Sequence, residues 1–438
     1  MKPLKFITCG SVDDGKSTLI GRLLVDSKAV LQDHLAGVTH AGQADLALLT
    51  DGLSAEREQG ITIDVAYRYF NTETRKFIIG DAPGHEQYTR NMVTAASQAD
   101  AAVVLVDATK LAWRDPQLAL LPQTRRHSLL CQLLRVESIV FAVNKLDAVE
   151  DAALAFRHIA QALETFAAEA GIRATRIVPV SALKGWNVVD QDQVPPQWCG
   201  YQGPTLLEIL EQVPNTPDET EAPLAHPVQW VEKFSSSSDT SQGRRVFWGR
   251  VSRGIAQVGA EVSVFPSGRR ARIAQVLGHD RAPRDVSAGT SAGIVLDREL
   301  DVSRGDWIVA APHAPATVAE DDFDAPPSAP SPYPGSQRVL ATVCWMDDEP
   351  LVPGRVYWAL HGHRWVKAKL ARVVYRRNIH TLAEEEASGL EANAIGQVEL
   401  VLQSELPVLP FAQSRALGAM ILVDQASHRT AGAVLVAG

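Results

Sequence analysis

The sequence predicts an α/β domain built on a doubly wound, mostly parallel sheet, followed by all-β structure. In the first half, apolar runs of strand length alternate with longer helical patterns, which is typical of successive β-α units. From about Pro227 onward, short β-rich runs are separated by turn residues such as those at 266–268, and this spacing indicates a small barrel. A second β-rich block, residues 338–438, completes the chain.

The predicted elements follow one another in order along the chain. Short apolar runs predict strands in the first domain at residues 4–9, 77–81, 101–107, 139–144 and 176–180. Helical patterns predict helices at residues 16–24, 123–134, 152–170 and 206–211, the last of them closed by Pro214. In the second half, the predicted strands are residues 228–231, 245–251, 261–265, 272–277 and 306–310.

The length of the chain, 438 residues, allows two to four domains. A content of 46% hydrophobic and 21% charged residues is a normal globular balance that can fill real cores. We place a first domain at residues 1–216, a second at 225–313 and a third at 337–438. Residues 314–336 are rich in Pro and acidic residues and predict a flexible linker.

Charge and cysteine content narrow the function classes. A net charge of −9 disfavours nonspecific binding to nucleic acid. The four scattered cysteines form no Cys-x-x-Cys pair, which suits a reducing cytoplasm and disfavours a zinc site or a disulfide framework. No apolar run reaches about eighteen residues, and the chain enters its first strand without a signal-peptide core, so we expect a cytoplasmic protein with no membrane span.

Residues 10–17 match a phosphate-binding loop, with two glycines separated by four residues and followed by Lys and Ser, between a predicted strand and a predicted helix. Gly10 and Gly15 let the backbone curl so that N–H groups point at phosphate oxygens. Lys16 would reach the β- and γ-phosphates as a point charge, and the Ser17 hydroxyl would coordinate Mg²⁺. The candidate phosphate-binding residues are Gly10, Ser11, Val12, Asp13, Asp14, Gly15, Lys16, Ser17 and Thr18.

A second candidate nucleotide contact follows the strand that ends at Asp81, in the run Asp81, Ala82, Pro83 and Gly84. The Asp81 carboxylate can hold Mg²⁺ through water, and the Gly84 N–H can bond the γ-phosphate, so that loss of this phosphate would release the loop. A plain Pro-Gly turn is the alternative interpretation. Thr62, upstream, is placed to become the second hydroxyl ligand, and the candidate metal ligands are therefore Ser17, Thr62 and Asp81.

His85 directly follows Gly84. A lone histidine is usually structural or exposed, but here its side chain is placed to reach the water that attacks the γ-phosphate. In phosphoryl transfer such a residue mainly positions the water. The candidate catalytic residues are Lys16, Thr62 and His85.

Two later runs at strand ends predict recognition of guanine. In the first, Asn144, Lys145 and Asp147, the Asp147 carboxylate can accept from the ring N–H and the exocyclic amine, whereas adenine would leave it unpaired. The Lys145 stem can cover the purine face. In the second, Ser181, Ala182 and Leu183, the Ala182 N–H can bond the guanine oxygen. All four motifs in this order predict GTP with Mg²⁺ as the ligand.

These residues resemble the translation-factor-like GTPases, whose loop also reads Gly-x-Val-Asp-x-Gly-Lys. Within that superfamily the chain is most similar to the large, GTP-hydrolysing subunits of bacterial sulfate adenylyltransferase. The telling stretches are residues 10–24, 51–70 and 84–92, and the similarity covers nearly the whole length. Translation factors usually carry His at the position of Asp14.

The resemblance implies a P-loop GTPase domain followed by two small β-barrels. It also implies a partner, a small catalytic subunit that makes adenylyl sulfate and pyrophosphate from ATP and sulfate, driven by GTP hydrolysis on this chain. No second phosphate loop follows the last block, so a fused adenylyl-sulfate kinase is not expected. The segment of residues 110–122 is longer than the resemblance implies, and we expect it to form a surface excursion near the second switch.

Two other functions remain open from the sequence. The shared motifs permit a translation-elongation-factor-like GTPase acting on the ribosome, although Asp14 and the acidic balance disfavour it. A non-catalytic GTP-binding scaffold is the second alternative. It is disfavoured by an intact set of residues that catalysis needs, namely Lys16, Ser17, Thr62, Asp81 and His85.

Overall fold

The structure is a computed structural model, and its described residues are 2–28, 39–40, 43–44, 46, 65–83, 89–195, 198–233, 245–312 and 331–438. The chain divides into two compact units, each described by itself below. The first comprises Met1–Thr216 with Asn378–Ala383, and the second comprises Pro217–Arg377 with Glu384–Gly438. Three of the predicted site residues, Thr62, Gly84 and His85, lie outside the described residues.

The first unit is built on a six-stranded sheet in the order β4-β5-β1-β6-β7-β8. Its strands, with the short pair β2 and β3, are β1 (Leu4–Cys9), β2 (Thr39–His40), β3 (Gln43–Ala44), β4 (Ala66–Asn71), β5 (Lys76–Asp81), β6 (Ala101–Asp107), β7 (Ser138–Asn144) and β8 (Ala174–Pro179). Strands β5, β1, β6, β7 and β8 run parallel, and only β4 at the edge is antiparallel. The predicted doubly wound, mostly parallel sheet is confirmed.

Helices accompany this sheet as the predicted pattern requires. They are α1 (Lys16–Asp26), α2 (Thr89–Ala96), α3 (Pro122–Leu133), α4 (Ala152–Glu169) and α5 (Leu206–Gln212). Pro122 begins α3, where its missing N–H costs nothing. Thr205 and Glu208 form a reciprocal capping box at the start of α5. None of the helices in the described ranges is long and apolar enough to cross a bilayer.

Burial explains why the sequence pattern of this unit is easy to interpret. Every residue of β6 and β7 is buried, because helices cover both faces of a parallel sheet. Phe6 and Ile79 from the sheet pack in one core with Leu19 and Leu23 of α1. A strand that is apolar on both faces has polar residues only at its ends. Because the strands are parallel, their carboxyl ends lie at one edge of the sheet, and functional side chains are concentrated there.

The second unit begins with a seven-stranded sheet in the order β10-β11-β16-β14-β13-β17-β9. Its strands, with the short pair β12 and β15, are β9 (Ala225–Pro227), β10 (Trp230–Lys233), β11 (Arg245–Arg250), β12 (Ile255–Ala256), β13 (Glu261–Phe265), β14 (Arg269–Leu277), β15 (Val286–Ser287), β16 (Ser291–Leu296) and β17 (Trp307–Ala310). Strand β16 is absent from the sequence-based prediction, and the predicted strand 228–231 is wrong at its start. The main-chain N–H of Val228 donates to the carbonyl of Asp306, and that of Gln229 donates to the carbonyl of Trp248. The chain therefore leaves its pairing with β17 at this point and begins to pair with β11.

The rest of the second unit is a closed six-stranded barrel with one short additional strand paired outside the closed ring. Its strands are β18 (Gly335–Trp345), β19 (Val356–His361), β20 (Arg364–Arg377), β21 (Glu384–Glu385), β22 (Ile395–Pro407), β23 (Ala419–Val423) and β24 (Thr430–Val436). The order β19-β23-β24-β18-β22-β20 is closed by pairing of β19 with β20. Two β-barrels after an α/β domain agree with the predicted fold class.

The predicted linker 314–336 falls mostly outside the described residues. Its last part is ordered, since β18 begins at Gly335 and Tyr333 is 2% exposed. The Tyr333 hydroxyl donates to the carbonyl of Pro223 within the same unit. The domain boundaries proposed from the sequence otherwise stay predictions.

Candidate nucleotide-binding site

The predicted site residues of the described chain lie at the carboxyl ends of neighbouring strands in the first unit. The loop 10–15 follows β1, Asp81 ends β5 and Asn144 ends β7, while Ser181 follows β8. Strand β6 lies between β1 and β7 and ends at Asp107. Because parallel strands present their carboxyl ends at one edge, segments far apart in sequence meet there.

The conformation of the phosphate loop depends on its two glycines. Gly10 has a φ of 150°, and a Cβ at this position would lie 2.9 Å from the carbonyl oxygen of Leu105. Gly15 has a φ of 93°, and its Cβ would lie 2.5 Å from Nδ2 of Asn144. Both positions therefore exclude a side chain, one by contact with β6 and the other by contact with the end of β7.

The ammonium group of Lys16 lies over the loop that precedes it. Its Nζ donates to the carbonyl of Ser11 at 2.7 Å and to that of Gly10 at 3.4 Å. The residue is 7% exposed, and burial lowers the pKa of Lys16 while attraction from Asp81 and Asp14 opposes the shift. An anion that entered the loop would exchange these weak carbonyl partners for phosphate oxygens.

Asp14 is a fully buried carboxylate inside the loop. Its Oδ2 accepts from the N–H of Ser11 at 2.6 Å, and its Oδ1 accepts from Nζ of Lys110 at 3.0 Å. Burial raises the pKa of Asp14, although the hydrogen bond and the charge of Lys110 work in the opposite direction. Lys110 also donates to the carbonyl of Val12.

Asn144 connects the phosphate loop to the loop after β8. Its Nδ2 donates to the carbonyl of Asp14 at 2.8 Å, and its Oδ1 accepts from the N–H of Ala182 at 3.0 Å. This bond uses the N–H that the sequence analysis assigned to the guanine oxygen. Asn144 is 2% exposed, so both bonds are sheltered from water.

Lys145 adopts a left-handed conformation with a φ of 61°. Its Nζ donates to the carbonyl of Asp13 at 2.6 Å and to Oδ2 of Asp107 at 2.8 Å. Burial disfavours the charged form of Asp107, yet hydrogen bonds from Lys145 and Thr109 hold the pKa of Asp107 below its usual range. The side chain of Lys145 therefore extends across the loop that would hold the phosphates.

The loop after β8 is supported from α1. The Arg22 guanidinium donates to the carbonyls of Ala182 at 3.2 Å and Leu183 at 2.6 Å. Asp147 lies across the same edge of the sheet, half-buried in the short 3₁₀ segment Leu146–Ala148. Leu183 is 66% exposed. The two predicted base-recognition segments, residues 144–147 and 181–183, are thus joined by the hydrogen bond between Asn144 and Ala182.

Of the three predicted metal ligands, the described residues include two. Ser17 lies in the first turn of α1, and Asp81 is 3% exposed at the end of β5. Asp81 accepts from the hydroxyl of Thr8 at 3.2 Å and attracts the charge of Lys16. A hydroxyl and a carboxylate are the hard oxygen donors that Mg²⁺ prefers, so the residues present fit this ion.

Three residues of this framework were not found from the sequence, namely Arg22, Asp107 and Lys110. For Asp107 a signal existed, since it ends a fully buried strand as Asp81 does. Arg22 and Lys110 match no motif. Their long side chains reach the site only through the tertiary fold.

The segment 110–122 differs from its predicted form. Instead of a plain surface excursion, it buries four apolar side chains with exposures of 7% to 9%, those of Leu111, Trp113, Leu118 and Leu120. The carbonyl of Trp113 is 2.9 Å from Nδ1 of His158 on α4. Hydrophobic burial explains why this segment packs on the unit.

Two family models match the chain. The elongation factor Tu GTP binding domain matches residues 1–216, and the GTP-eEF1A C-terminal domain-like family matches residues 338–437. Sulfate adenylyltransferase subunit 1 of Laribacter hongkongensis is 41% identical over 99% of this chain and 85% of its own length. The chain belongs to the sulfate adenylyltransferase subunit 1 family.

Other relatives support this assignment to the family. The same-named protein of Cronobacter sakazakii is 41% identical over 99% of the chain and 86% of its own length. The bifunctional enzyme CysN/CysC of Xylella fastidiosa is 43% identical over 99% of the chain, which spans only 65% of that longer protein. The match to a GTP-binding domain identifies GTP as the nucleotide of this chain.

Proposed function

We propose that this chain hydrolyses GTP and couples the hydrolysis to formation of adenylyl sulfate and pyrophosphate from ATP and sulfate on a partner subunit. The observation that carries the proposal is the Asn144 side chain, which joins the phosphate loop to the loop after β8 in one buried framework. Relatives named subunit 1 that match 99% of the chain favour this function over a translation factor.

In the proposed site, the loop N–H groups and Lys16 bind the phosphates of GTP. The loop precedes α1, whose N-terminus carries a partial positive charge that favours anions. Lys16 starts the helix with its ammonium already over the loop. The loop residues proposed to contact the nucleotide are Gly10, Ser11, Val12, Asp13, Asp14, Gly15, Lys16, Ser17 and Thr18, and Asp14 is proposed to do so through its main chain, because its carboxylate is occupied by Ser11 and Lys110.

We assign Mg²⁺ to Ser17, Asp81 and Thr62. When bound, the ion neutralises charge on the phosphate oxygens. Asp81 is held in place by the hydroxyl of Thr8, so its carboxylate points in a defined direction. Gly84, after the Asp81-Ala82-Pro83 run, is proposed to bond the γ-phosphate, and His85 to position the attacking water.

Asp147 is the proposed reader of the guanine edge, and the Lys145 stem covers the purine face. The ammonium of Lys145 is fixed by two acceptors, the carbonyl of Asp13 and the carboxylate of Asp107, which supports this orientation. Since the Ala182 N–H donates to Asn144, the adjacent N–H of Leu183 is the donor we assign to the guanine oxygen. Ser181 supports this turn by accepting at its Oγ from the N–H of Lys184.

The proposed partner is a small catalytic subunit that carries the ATP and sulfate sites. The name subunit 1, carried by relatives that this chain covers to 85% and 86% of their length, supports a separate partner. The cytoplasm is the proposed location, and four free, buried cysteines support a reducing compartment.

The decisive experiment measures GTP hydrolysis and adenylyl sulfate formation together. The purified chain is assayed with the small subunit, ATP and sulfate, each omitted in turn, and a non-hydrolysable GTP analogue replaces GTP as the control. We expect GTP turnover to rise when all partners are present. Equal yields of adenylyl sulfate with and without GTP would refute the coupling, and no turnover under any condition would support a scaffold.

A further inference from the structure

The Asp14 carboxylate places a negative charge inside the loop that is proposed to bind the anionic phosphates of GTP. It is fully buried within the loop proposed to hold the GTP phosphates, and its Oδ2 takes the N–H of Ser11. Two like charges that share a poorly hydrated site repel each other strongly. The loop therefore needs a cation that remains on Asp14 when phosphates are present.

Lys16 cannot serve as that cation, because its ammonium is the group assigned to the β- and γ-phosphates. Its present partners are the carbonyls of Gly10 and Ser11, and no direct bond to Asp14 is formed. Lys110 comes from outside the loop, with its side chain one-third exposed. Its Nζ lies 3.0 Å from Oδ1 of Asp14 and donates to the carbonyl of Val12 as well.

Lys110 is also held in place by the carboxylate of Asp107. Its Nζ lies 3.8 Å from Oδ2 of Asp107, the oxygen that accepts from Lys145 at 2.8 Å. Lys145 in turn bonds the carbonyl of Asp13. Two lysines around one carboxylate thus hold two successive carbonyls of the loop, those of Val12 and Asp13.

We propose that Lys110 is a positioning residue for GTP: it neutralises Asp14 and holds the phosphate loop in its binding conformation without touching the nucleotide. The inference rests on the proposed function, and it assigns a role to a residue that matches no motif. Lys110 is the last residue of the 3₁₀ turn Ala108–Lys110 after β6, so this role also connects the loop to the buried segment 110–122.

The charged groups that face Asp14 determine how the pair responds to pH. Lys110 from the turn after β6 and Lys16 from α1 both attract its carboxylate. Asp107 and Lys145, at the ends of β6 and β7, act on Lys110 from its far side. Without Lys110, only Lys16 and the hydrogen bond from the N–H of Ser11 oppose the cost of burial, so the pKa of Asp14 should rise further.

The test measures the affinity for a fluorescent GTP analogue and the rate of GTP hydrolysis from mildly acidic to mildly alkaline pH. The variants are Lys110→Met, Lys110→Arg, Asp14→Asn and the double variant of Lys110→Met with Asp14→Asn. Arg114→Met is the matched control, because Arg114 lies on the same segment in an exposed pair with Glu150.

We expect Lys110→Met to weaken GTP binding at least about tenfold at alkaline pH, because it leaves a buried charge unpaired. Binding should recover toward acidic pH as Asp14 takes up a proton. Lys110→Arg should keep most of the affinity, and adding Asp14→Asn to Lys110→Met should restore it and abolish the pH dependence.

Two results would overturn the inference. One is a Lys110→Met protein that binds GTP with the affinity and pH profile of Arg114→Met. The other is a loss that Asp14→Asn does not relieve, which would make Lys110 a general structural residue. Failure of the unmodified chain to bind GTP would instead refute the proposed function, so the two failures are distinguishable.

Discussion

The amide group of Asn144 donates to the main-chain oxygen of Asp14 across 2.8 Å, and this bond joins the end of β7 to the phosphate loop. The other end of the same amide accepts from Ala182. A single side chain therefore aligns the segments proposed to hold the phosphates and the base of GTP.

Asn144→Ala should weaken GTP binding by about 30-fold or more, because two buried hydrogen bonds lose their partner at about 1–3 kcal/mol each. Titration with a fluorescent GTP analogue checks the value. Asn71→Ala, at the exposed end of β4, is the control and should leave the affinity unchanged. Equal affinities for the two variants would contradict the connecting role of Asn144.

Gly15→Ala should abolish tight nucleotide binding. The new Cβ would lie 2.5 Å from Nδ2 of Asn144, in addition to the strain of a φ of 93°. Gly259→Ala is a matched control, since Gly259 has a φ of 85° with nothing within 4 Å of a built Cβ. A loss of at least about tenfold in GTP affinity for Gly15→Ala alone would show that the effect belongs to the phosphate loop and not to any alanine placed at a positive φ.

Asp147→Asn should change the base that the site prefers from guanine to xanthine. An amide can donate to the second carbonyl of xanthine, whereas it offers guanine no charged acceptor, so preference should shift from GTP to xanthosine triphosphate by about 100-fold or more. Competition between the two nucleotides measures the shift. The exposed Asp285→Asn serves as control, and an unchanged preference in Asp147→Asn would remove Asp147 from base recognition.

His85→Ala should reduce GTP hydrolysis by about 100-fold or more while largely sparing GTP affinity, because a water-positioning residue acts on the attacking group. Single-turnover hydrolysis and equilibrium binding, measured on the same preparation, separate the two effects. His279→Ala, at an exposed site in the second unit, should change neither. A large loss of affinity in His85→Ala would point to a structural role.

Stability of the second unit should decrease with acidification because of two buried histidines. His226 and His361 hydrogen-bond the carbonyls of Phe247 and Leu417 through Nε2, and burial lowers the pKa of each to about 4. The unfolded chain binds these protons at a pKa of about 6.5, so the free energy of unfolding falls as the pH drops from there toward the folded value.

Each histidine should contribute a slope of about 1.4 kcal/mol per pH unit in this window. Urea titrations of the unmodified chain, His226→Gln and His361→Gln at several pH values measure it. Each substitution should lower the slope of the free energy of unfolding against pH by the contribution of one histidine, whatever its effect on the absolute stability. His279→Gln, an exposed control, should keep the full slope, and parallel curves for all variants would contradict the assignment.

Much of the first unit could be predicted because its strands are apolar throughout. Strands β6 and β7 are buried along their whole length, so their limits are visible in the sequence. Strand β4 was not predicted, because an edge strand with Tyr67 and Tyr69 exposed lacks that signal. In the second unit, β16 begins with small residues, Ser291 and Ala292, and has little strand signal at its start.

In the candidate site, the residues that could be predicted are those whose local sequence spacing carries a signal. Residues of the phosphate loop were found because their spacing encodes a local backbone conformation, as the φ values of Gly10 and Gly15 show. Lys110 could not be found in this way. Its ammonium meets Asp14 across 96 positions of sequence, and only the packing of β6 beside β1 brings the two together.

The burial of Leu111, Trp113, Leu118 and Leu120 bears on how this chain can be shortened. Loops that only cover a surface can usually be trimmed with little cost. Removing residues 111–121 would strip four apolar side chains from the first unit and leave Lys110 on an unsupported turn. An engineered minimal version of this chain should therefore retain the segment as part of its hydrophobic interior.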